Sequence, residues 1–296
     1  MLRPQDKPTF KDDGSTYIGQ LYDSMSDFMV AIEPDYTIGG PKNERSSMRE
    51  EKESKDGYMG WTGTRNYAEA VELAKHGWPE GLKGIEVMRQ SLEKRIDAYI
   101  PNRRADYDVA GSMFDMGAFI RGEPESAIHW ELTEQQRKSV DISIDIAASA
   151  GVSTKVMLAR GALIAGLTYA LERLSVPTRV TVMGSMKGHE PNLWDGVIVK
   201  HEGAMLDIER LAFTTAHPAM FRRLWFSLWE NYPRDIRESH GIHKYGGYGY
   251  PGNTPKRLRS EVHLESAMYG DSRWLDQKNA EGWIMDRLLK LGVVIQ

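Results

Sequence analysis

The sequence predicts an α/β protein built on an open, largely parallel sheet flanked by helices. The main observation is a strand–helix–strand pattern. In residues 140–146, β-branched residues alternate with Asp and Ser, which is typical of a strand. Residues 157–174 are apolar on nearly every side, which indicates a helix buried against a sheet. A second β-branched segment at 178–183 completes a unit in which the crossover places the two strands parallel.

The N-terminal part of the chain predicts helices and polar connections. Residues 17–32 have apolar residues at helical spacing. Two further helices, ending near His76 and Tyr99, are separated by a Gly-Trp-Pro break. We therefore expect an arm and polar loop over residues 1–57 and a helical hairpin region over residues 58–138.

The remaining core is expected over residues 139–296. Residues 193–200 and 206–213 resemble strands, and residues 218–232 and 280–291 have the spacing of amphipathic helices.

Composition limits the classes of function. The chain has 296 residues, no cysteine and a formal net charge of −4. Disulfides, thiolate metal sites and cysteine nucleophiles are therefore excluded, and no global basic field attracts nucleic acid. The N-terminus has no apolar signal segment and no run is long enough to span a membrane, so we expect a cytoplasmic protein.

Enzymatic motifs are missing as well. The sequence has no Walker lysine, no dinucleotide-binding glycine pattern, no nucleophile elbow and no zinc-protease motif. The prediction leans towards a non-enzymatic protein, with an unrecognised catalytic site left as an alternative.

Polar residues follow the first strand of the core where ligands bind in open α/β sheets. Asp145 and Ser149 lie at this edge, and Thr214, Thr215 and His217 follow a later predicted strand. Carboxylate and hydroxyl oxygens suit Mg²⁺, so Asp145, Ser149 and Thr214 are candidate metal ligands. Helix capping is the alternative role of the two threonines.

The pattern Asp145-x-Ala147-x-Ser149, followed by a long helix and a strand, resembles the opening of a von Willebrand A domain. That resemblance implies a von Willebrand A-like core in which Asp145 and Ser149 hold a metal ion and a protein partner binds through it. Ala147 departs from the family pattern, because it lacks the hydroxyl that the metal-binding loop requires there.

A second resemblance covers four short segments and is to uncharacterised proteins encoded by tailed bacteriophages. It implies a phage accessory protein in the host cytoplasm, with a phage polymerase or another phage protein as a partner. The segments are WTGT at 61–64, GWPEG at 77–81, DVAG at 108–111 and GEPESA at 122–127.

Residues 240–260 form a basic stretch with tyrosines between glycines and no acidic residue. Proteins that hold single-stranded nucleic acid combine cations for phosphates with aromatic faces for bases. A loop that folds back on the core is the alternative. The candidate nucleic-acid-binding residues are Lys244, Tyr245, Tyr248, Tyr250, Lys256, Arg257 and Arg259.

Three hypotheses follow. The first is a phage accessory protein that binds single-stranded nucleic acid in transcription or replication. The second is a metal-dependent adaptor with a von Willebrand A-like core. The third is a structural or assembly protein.

Overall fold

A computed structural model describes residues 7–34, 56–97, 104–109, 113–131, 139–188, 190–242, 248 and 250–293. The predicted α/β class is confirmed, with a seven-stranded sheet accompanied by helices. The predicted residues Lys244 and Tyr245 lie outside the described part of the chain.

The strands of the main sheet come from both ends of the chain. Their order is β1-β2-β8-β7-β6-β10, with β9 also paired to β7. The strands are β1 (Thr9–Asp12), β2 (Ser15–Tyr22), β6 (Val140–Asp145), β7 (Thr178–Lys187), β8 (Asn192–Lys200), β9 (Tyr250–Pro251) and β10 (Val262–Leu264).

The pairing directions confirm the predicted parallel unit and add antiparallel neighbours. β6 runs parallel to β7 and to β10, and β2 runs parallel to β8. β7 is antiparallel to β8 and β9, and β1 is antiparallel to β2. A smaller sheet contains β3 (Arg104–Asp108), β4 (Met113–Phe114) and β5 (Ala127–Glu131) in the order β3-β5-β4.

Four of the longer helices begin just after a residue whose side chain caps the helix. Asn66, Ser153, Asp207 and Asp276 each accept a hydrogen bond from the first turn of the helix that follows. The helices are α1 (Met25–Ala31), α2 (Asp56–Thr62), α3 (Tyr67–His76), α4 (Leu82–Asp97), α5 (Met116–Ile120), α6 (Thr154–Arg173), α7 (Ile208–Ala216), a π-helix (Met220–Trp225), α8 (Phe226–Trp229), α9 (Arg234–Ser239) and α10 (Gln277–Lys290).

Two predicted elements were wrong. Residues 17–32 are not one helix, since β2 occupies the first part and Ser24 caps the short α1. Residues 206–213 are not a strand, because the cap at Asp207 and helical spacing of buried side chains produce α7 instead. In both cases the apolar residues of a short segment fitted the periodicity of the other type of secondary structure.

A buried ion pair fixes the N-terminal segment to the sheet. Lys7 Nζ lies 2.6 Å from Asp195 Oδ1, and both side chains are fully buried. The hydroxyl of Tyr232 donates to the other Asp195 oxygen at 2.8 Å. Burial is the largest influence on both ionisable groups, lowering the pKa of Lys7 and raising that of Asp195.

Helix α6 is at the centre of the helical layer, where it packs against α4 and α7. At Gly161 the approach to α7 is so close that a Cβ atom would overlap the backbone of Thr215 and Ala216. Gly282, inside α10, faces open space instead. A methyl group therefore has no room at Gly161 and is accommodated at Gly282.

We expect Gly161→Ala to lower the free energy of unfolding by about 1–3 kcal/mol, because the added methyl group forces α6 and α7 apart. Gly282→Ala, the matched control, should raise it by roughly 0.5–1 kcal/mol, since alanine is the better helix former and meets no neighbour. Urea unfolding followed by circular dichroism measures both. Equal effects of the two substitutions would contradict this packing.

Candidate functional site

Residues 250–260, which we call the strap, lie across the carboxyl end of β6. The last pair between β6 and β7 is Asp145 with Met183, and β7 then pairs with β9 at Met186 and Lys187. β9 therefore occupies the place in the sheet just beyond the end of β6. The strap covers the edge at which ligands bind in open α/β sheets.

Asp145 connects the strap to the sheet. Its carboxylate accepts hydrogen bonds from the Ala147 N–H at 2.9 Å and from the Thr254 hydroxyl at 2.8 Å. Ser185 also donates to it, and the charge of Arg160 lies nearby. Because the group is fully buried, its pKa is raised to about 6 despite these partners.

This geometry does not support the predicted magnesium site. Asp145 has no exposed surface, and both of its oxygens already accept hydrogen bonds from the protein. The Thr214 hydroxyl donates to the carbonyl oxygens of Arg210 and Leu211, within its own helix. Within the described ranges, no three His, Asp or Glu residues come together as a metal-binding group.

Ser149 is only partly buried, and its backbone N–H donates to the Ala267 carbonyl at 3.0 Å. That bond extends the contact between the loop after β6 and the loop after β10. The structure thus assigns Ser149 a role in joining two loops, and the Asp145 side chain is separated from solvent by the strap.

A narrow cavity lies on the other face of β6. Ile144, Ile146, Met157, Arg160, Thr215, Ala216 and His217 line it. Thr215 and His217, which were expected with Thr214 at the edge that carries Asp145, thus lie beside Ile144 and Ile146, and a helix rather than a strand carries them. Burial lowers the pKa of His217 to about 4, so its imidazole is neutral at neutral pH.

The guanidinium of Arg160 separates this cavity from Asp145. It donates to the Asp145 carbonyl at 3.1 Å and also to the Glu265 carbonyl. The arginine therefore uses its guanidinium group to hydrogen-bond the backbone at the ends of β6 and β10. It stabilises the junction of these strands and forms part of the wall of the cavity.

Two of the predicted nucleic-acid-binding residues, Tyr248 and Arg259, make contacts within the protein instead. The ring of Tyr248 stacks on Phe226 with centroids 4.0 Å apart, and its hydroxyl donates to Glu230 at 2.6 Å. Arg259 donates to the Thr254 carbonyl and forms an ion pair with Glu265. The prediction of base stacking by Tyr248 is wrong for this conformation, because the ring is buried.

Three other predicted residues remain at the surface of the strap. Tyr250 is 79% exposed. Lys256 makes an exposed ion pair with Asp13, and Arg257 lies over the ring of Phe10, with its guanidinium carbon 3.6 Å from the ring centroid.

Lys187 and Phe10 were missed by the sequence analysis. Lys187 is exposed and lies directly opposite Tyr250 in the pairing of β7 with β9. Phe10 stacks on Tyr17 across the β1–β2 hairpin and brings an aromatic ring to the strap. The only sequence signal was the period of two along a strand, which places the side chains of Lys187 and Ser185 on the same face of β7.

We call Phe10, Lys187, Tyr250, Lys256 and Arg257 the strap surface. It lies on the face of the sheet that carries Asp145, whereas Ile144 and the cavity belong to the face covered by α6 and α7. Neither Lys187 nor Arg257 has a carboxylate partner for its charged group in the part of the chain that the structure describes.

Comparison with protein families gives one match, which covers residues 11–291 and is described as "Domain of unknown function (DUF7192)". The chain belongs to this family. The match includes β2, the strap and α10, so the candidate site lies within the family domain except for Phe10, which immediately precedes it. No curated protein and no solved structure matches the chain. No helix of the described residues has the length and apolar content needed to cross a membrane.

The protonation of Asp145 predicts a specific dependence of stability on pH. Its pKa is about 6 in the folded protein and 3.8 ordinarily, so the folded state holds the proton more tightly. The associated stability is present below pH 3.8 and is lost as pH rises through 6. We expect wild type to lose roughly 3 kcal/mol relative to Asp145→Asn between about pH 4 and about pH 7.

Urea unfolding at several pH values measures this difference. Asp141→Asn is the matched control, because it removes a carboxylate that is paired with Arg179 at the surface of the same strand. The control should keep the pH dependence of wild type. A difference between wild type and Asp145→Asn that stays constant with pH would contradict the assignment.

Proposed function

We propose that the protein binds single-stranded nucleic acid on the strap surface. The observation that carries the proposal is the exposed Tyr250 ring held opposite Lys187. Residues directly opposite each other in an antiparallel pair project to the same face, so a base stacked on Tyr250 would have an ammonium group beside its phosphate.

The charges of the strap surface favour this use. Lys187 and Arg257 have no ion-pair partner in the described ranges, and the pair between Lys256 and Asp13 is exposed on both sides. Exposed ion pairs contribute little to stability, so a phosphate can replace Asp13 as the partner of Lys256. The carboxylates of the β1–β2 turn also lie beside these cations, since Asp13 pairs with Lys256 and Asp12 accepts a hydrogen bond from the Arg257 backbone N–H.

Aromatic groups complete the surface. Arg257 rests on Phe10, and Phe10 stacks on Tyr17 with ring centroids 5.7 Å apart. The guanidinium is thus held in place by its contact with the ring. A cation fixed in this way loses little side-chain entropy when it binds a phosphate.

The wider role stays a prediction. Participation in phage transcription or replication, with a phage polymerase or another phage protein as partner, depends on the resemblance of the four short segments to tailed-phage proteins. Binding of nucleic acid by the strap surface is independent of it and is tested separately.

Fluorescence anisotropy with a labelled oligothymidylate of about 12 nucleotides at low salt tests the proposal. We expect saturable binding that Tyr250→Ala weakens by about tenfold, the loss of one stacked base. Tyr269→Ala is the matched control, because Tyr269 is 81% exposed but lies over the loop after β6. The control should bind as wild type does.

A charge series examines the cations separately. Lys187→Gln combined with Arg257→Gln should reduce the slope of log affinity against log salt by about 1.4, which corresponds to two phosphate contacts with a single strand. Lys75→Gln combined with Lys83→Gln removes the same charge from α3 and α4 and should leave the slope unchanged. Absence of binding, or equal losses in both double variants, would overturn the proposal.

A further inference from the structure

The turn between β1 and β2 places two carboxylates against the strap. Asp13 Oδ2 lies 2.9 Å from Lys256 Nζ, and Asp12 Oδ2 accepts a hydrogen bond from the Arg257 backbone N–H at 3.4 Å. Consecutive acidic residues of the turn thus meet consecutive residues of the strap. The strap surface therefore has anions of the same chain as neighbours.

The geometry of the turn holds these carboxylates in place. Asp12 pairs with Ser15, so only Asp13 and Gly14 connect the two strands. Both connecting residues have positive φ, 48° and 79°, as in the type I′ turns that suit two-residue hairpins. Asp tolerates this conformation better than most residues do. The hairpin backbone therefore keeps the carboxylates beside the strap, and rotation of the side chains is enough to move them away.

The two donors on the strap are of the kinds that bind phosphate in complexes with nucleic acid. Phosphate oxygens accept hydrogen bonds from lysine ammonium groups and from backbone N–H groups, and these contacts fix the register of the strand. Carboxylate oxygens accept from the same groups. In the free protein, Asp12 and Asp13 therefore take the places of two phosphate oxygens.

Both contacts are weak enough to be exchanged. The side chains of Lys256 and Asp13 are 63% and 61% exposed, and the hydrogen bond to Asp12 is long. An exposed pair of this kind changes an equilibrium by roughly two- to fivefold. A strand that also contacts Lys187 and Tyr250 gains interactions that the turn does not block.

We propose that Asp12 and Asp13 are built-in competitors of the phosphate backbone, which mask part of the strap surface until a strand of nucleic acid displaces them. This inference rests on the proposed function, because it concerns the regulation of the same surface. In the free protein an isolated anion gains little at Lys256, since it only replaces a carboxylate. A strand displaces the turn because the stacked base and the second cation add to its binding.

Glu190 provides a matched control for the charge of the turn. Its carboxylate accepts a hydrogen bond from the Thr16 N–H of the same hairpin at 3.3 Å. Burial raises the pKa of Tyr17, and the charges of Asp12, Asp13 and Glu190 raise it further, so all three carboxylates lie near this ring. Within the part of the chain that the structure describes, Glu190 pairs with no cation of the strap.

A double-mutant cycle tests the masking. Asp13→Asn removes the charge and preserves the turn, because Asn also tolerates positive φ. We expect it to raise the affinity for the labelled oligothymidylate at low salt by about threefold. In the Lys256→Gln protein the same substitution should have no effect, since the cation that it unmasks is absent. Fluorescence anisotropy of the four proteins measures this coupling.

Glu190→Gln should bind as wild type does, because it removes the same charge without freeing a cation. If wild type binds but Asp13→Asn brings no gain, the masking is ruled out and the nucleic-acid site remains. Equal gains from Asp13→Asn and Glu190→Gln, or a gain that persists with Lys256→Gln, have the same consequence, since they indicate a general charge effect.

A further variant, Asp12→Asn combined with Asp13→Asn, separates this inference from the proposed function. Binding by this variant but not by wild type would support the masking and contradict the proposed function for the unmodified protein. Absence of binding by both proteins would contradict the two proposals together.

Discussion

The buried carboxylate of Asp145 is the constraint on which the architecture around the sheet edge depends. A carboxylate removed from water needs hydrogen bonds to every oxygen, and three segments supply them here: the turn after β6, the end of β7 and the strap. Arg160 adds a charge from α6 and at the same time holds the ends of β6 and β10. The turn, the helix and the strap are therefore positioned by one group.

Because of this arrangement, the carboxyl edge of the sheet is occupied by the protein's own chain. In open α/β sheets the carboxyl ends of the strands are where ligands enter. Here the strap fills that position with its own backbone, and the polar residues beneath it are satisfied by one another. The exposed aromatic and charged groups lie on the outside of the strap instead, where Tyr250 is paired with Lys187.

Much of the fold was predictable because its strongest signals are local. The alternation in β6, the apolar length of α6 and the β-branched start of β7 each identify an element without reference to the rest of the chain. β2 and α7 were misassigned because their apolar runs are short. In α7 the cap at Asp207 outweighed an apparent alternation, and β2 is defined by its pairing with β8.

The candidate site was predictable only in its parts. The sequence indicated both the Asp145 edge and the basic tyrosine-bearing stretch, but as separate features. The two features come together because the Thr254 hydroxyl donates to Asp145. These residues are distant in the chain, and no local sequence pattern encodes their contact. The burial of Tyr248 beneath Phe226 was hidden for the same reason, and Lys187 became relevant only once β9 was placed beside β7.

The ion pair between Lys7 and Asp195 has a consequence for shortened forms of the protein. A chain that starts at Ser139 would retain the parallel unit of β6, α6 and β7. It would also lose β2, the neighbour that covers β8, and would leave Asp195 buried without its cation. An open, apolar strand edge beside an unbalanced charge favours association with other chains, so the core is self-sufficient only when the N-terminal hairpin accompanies it.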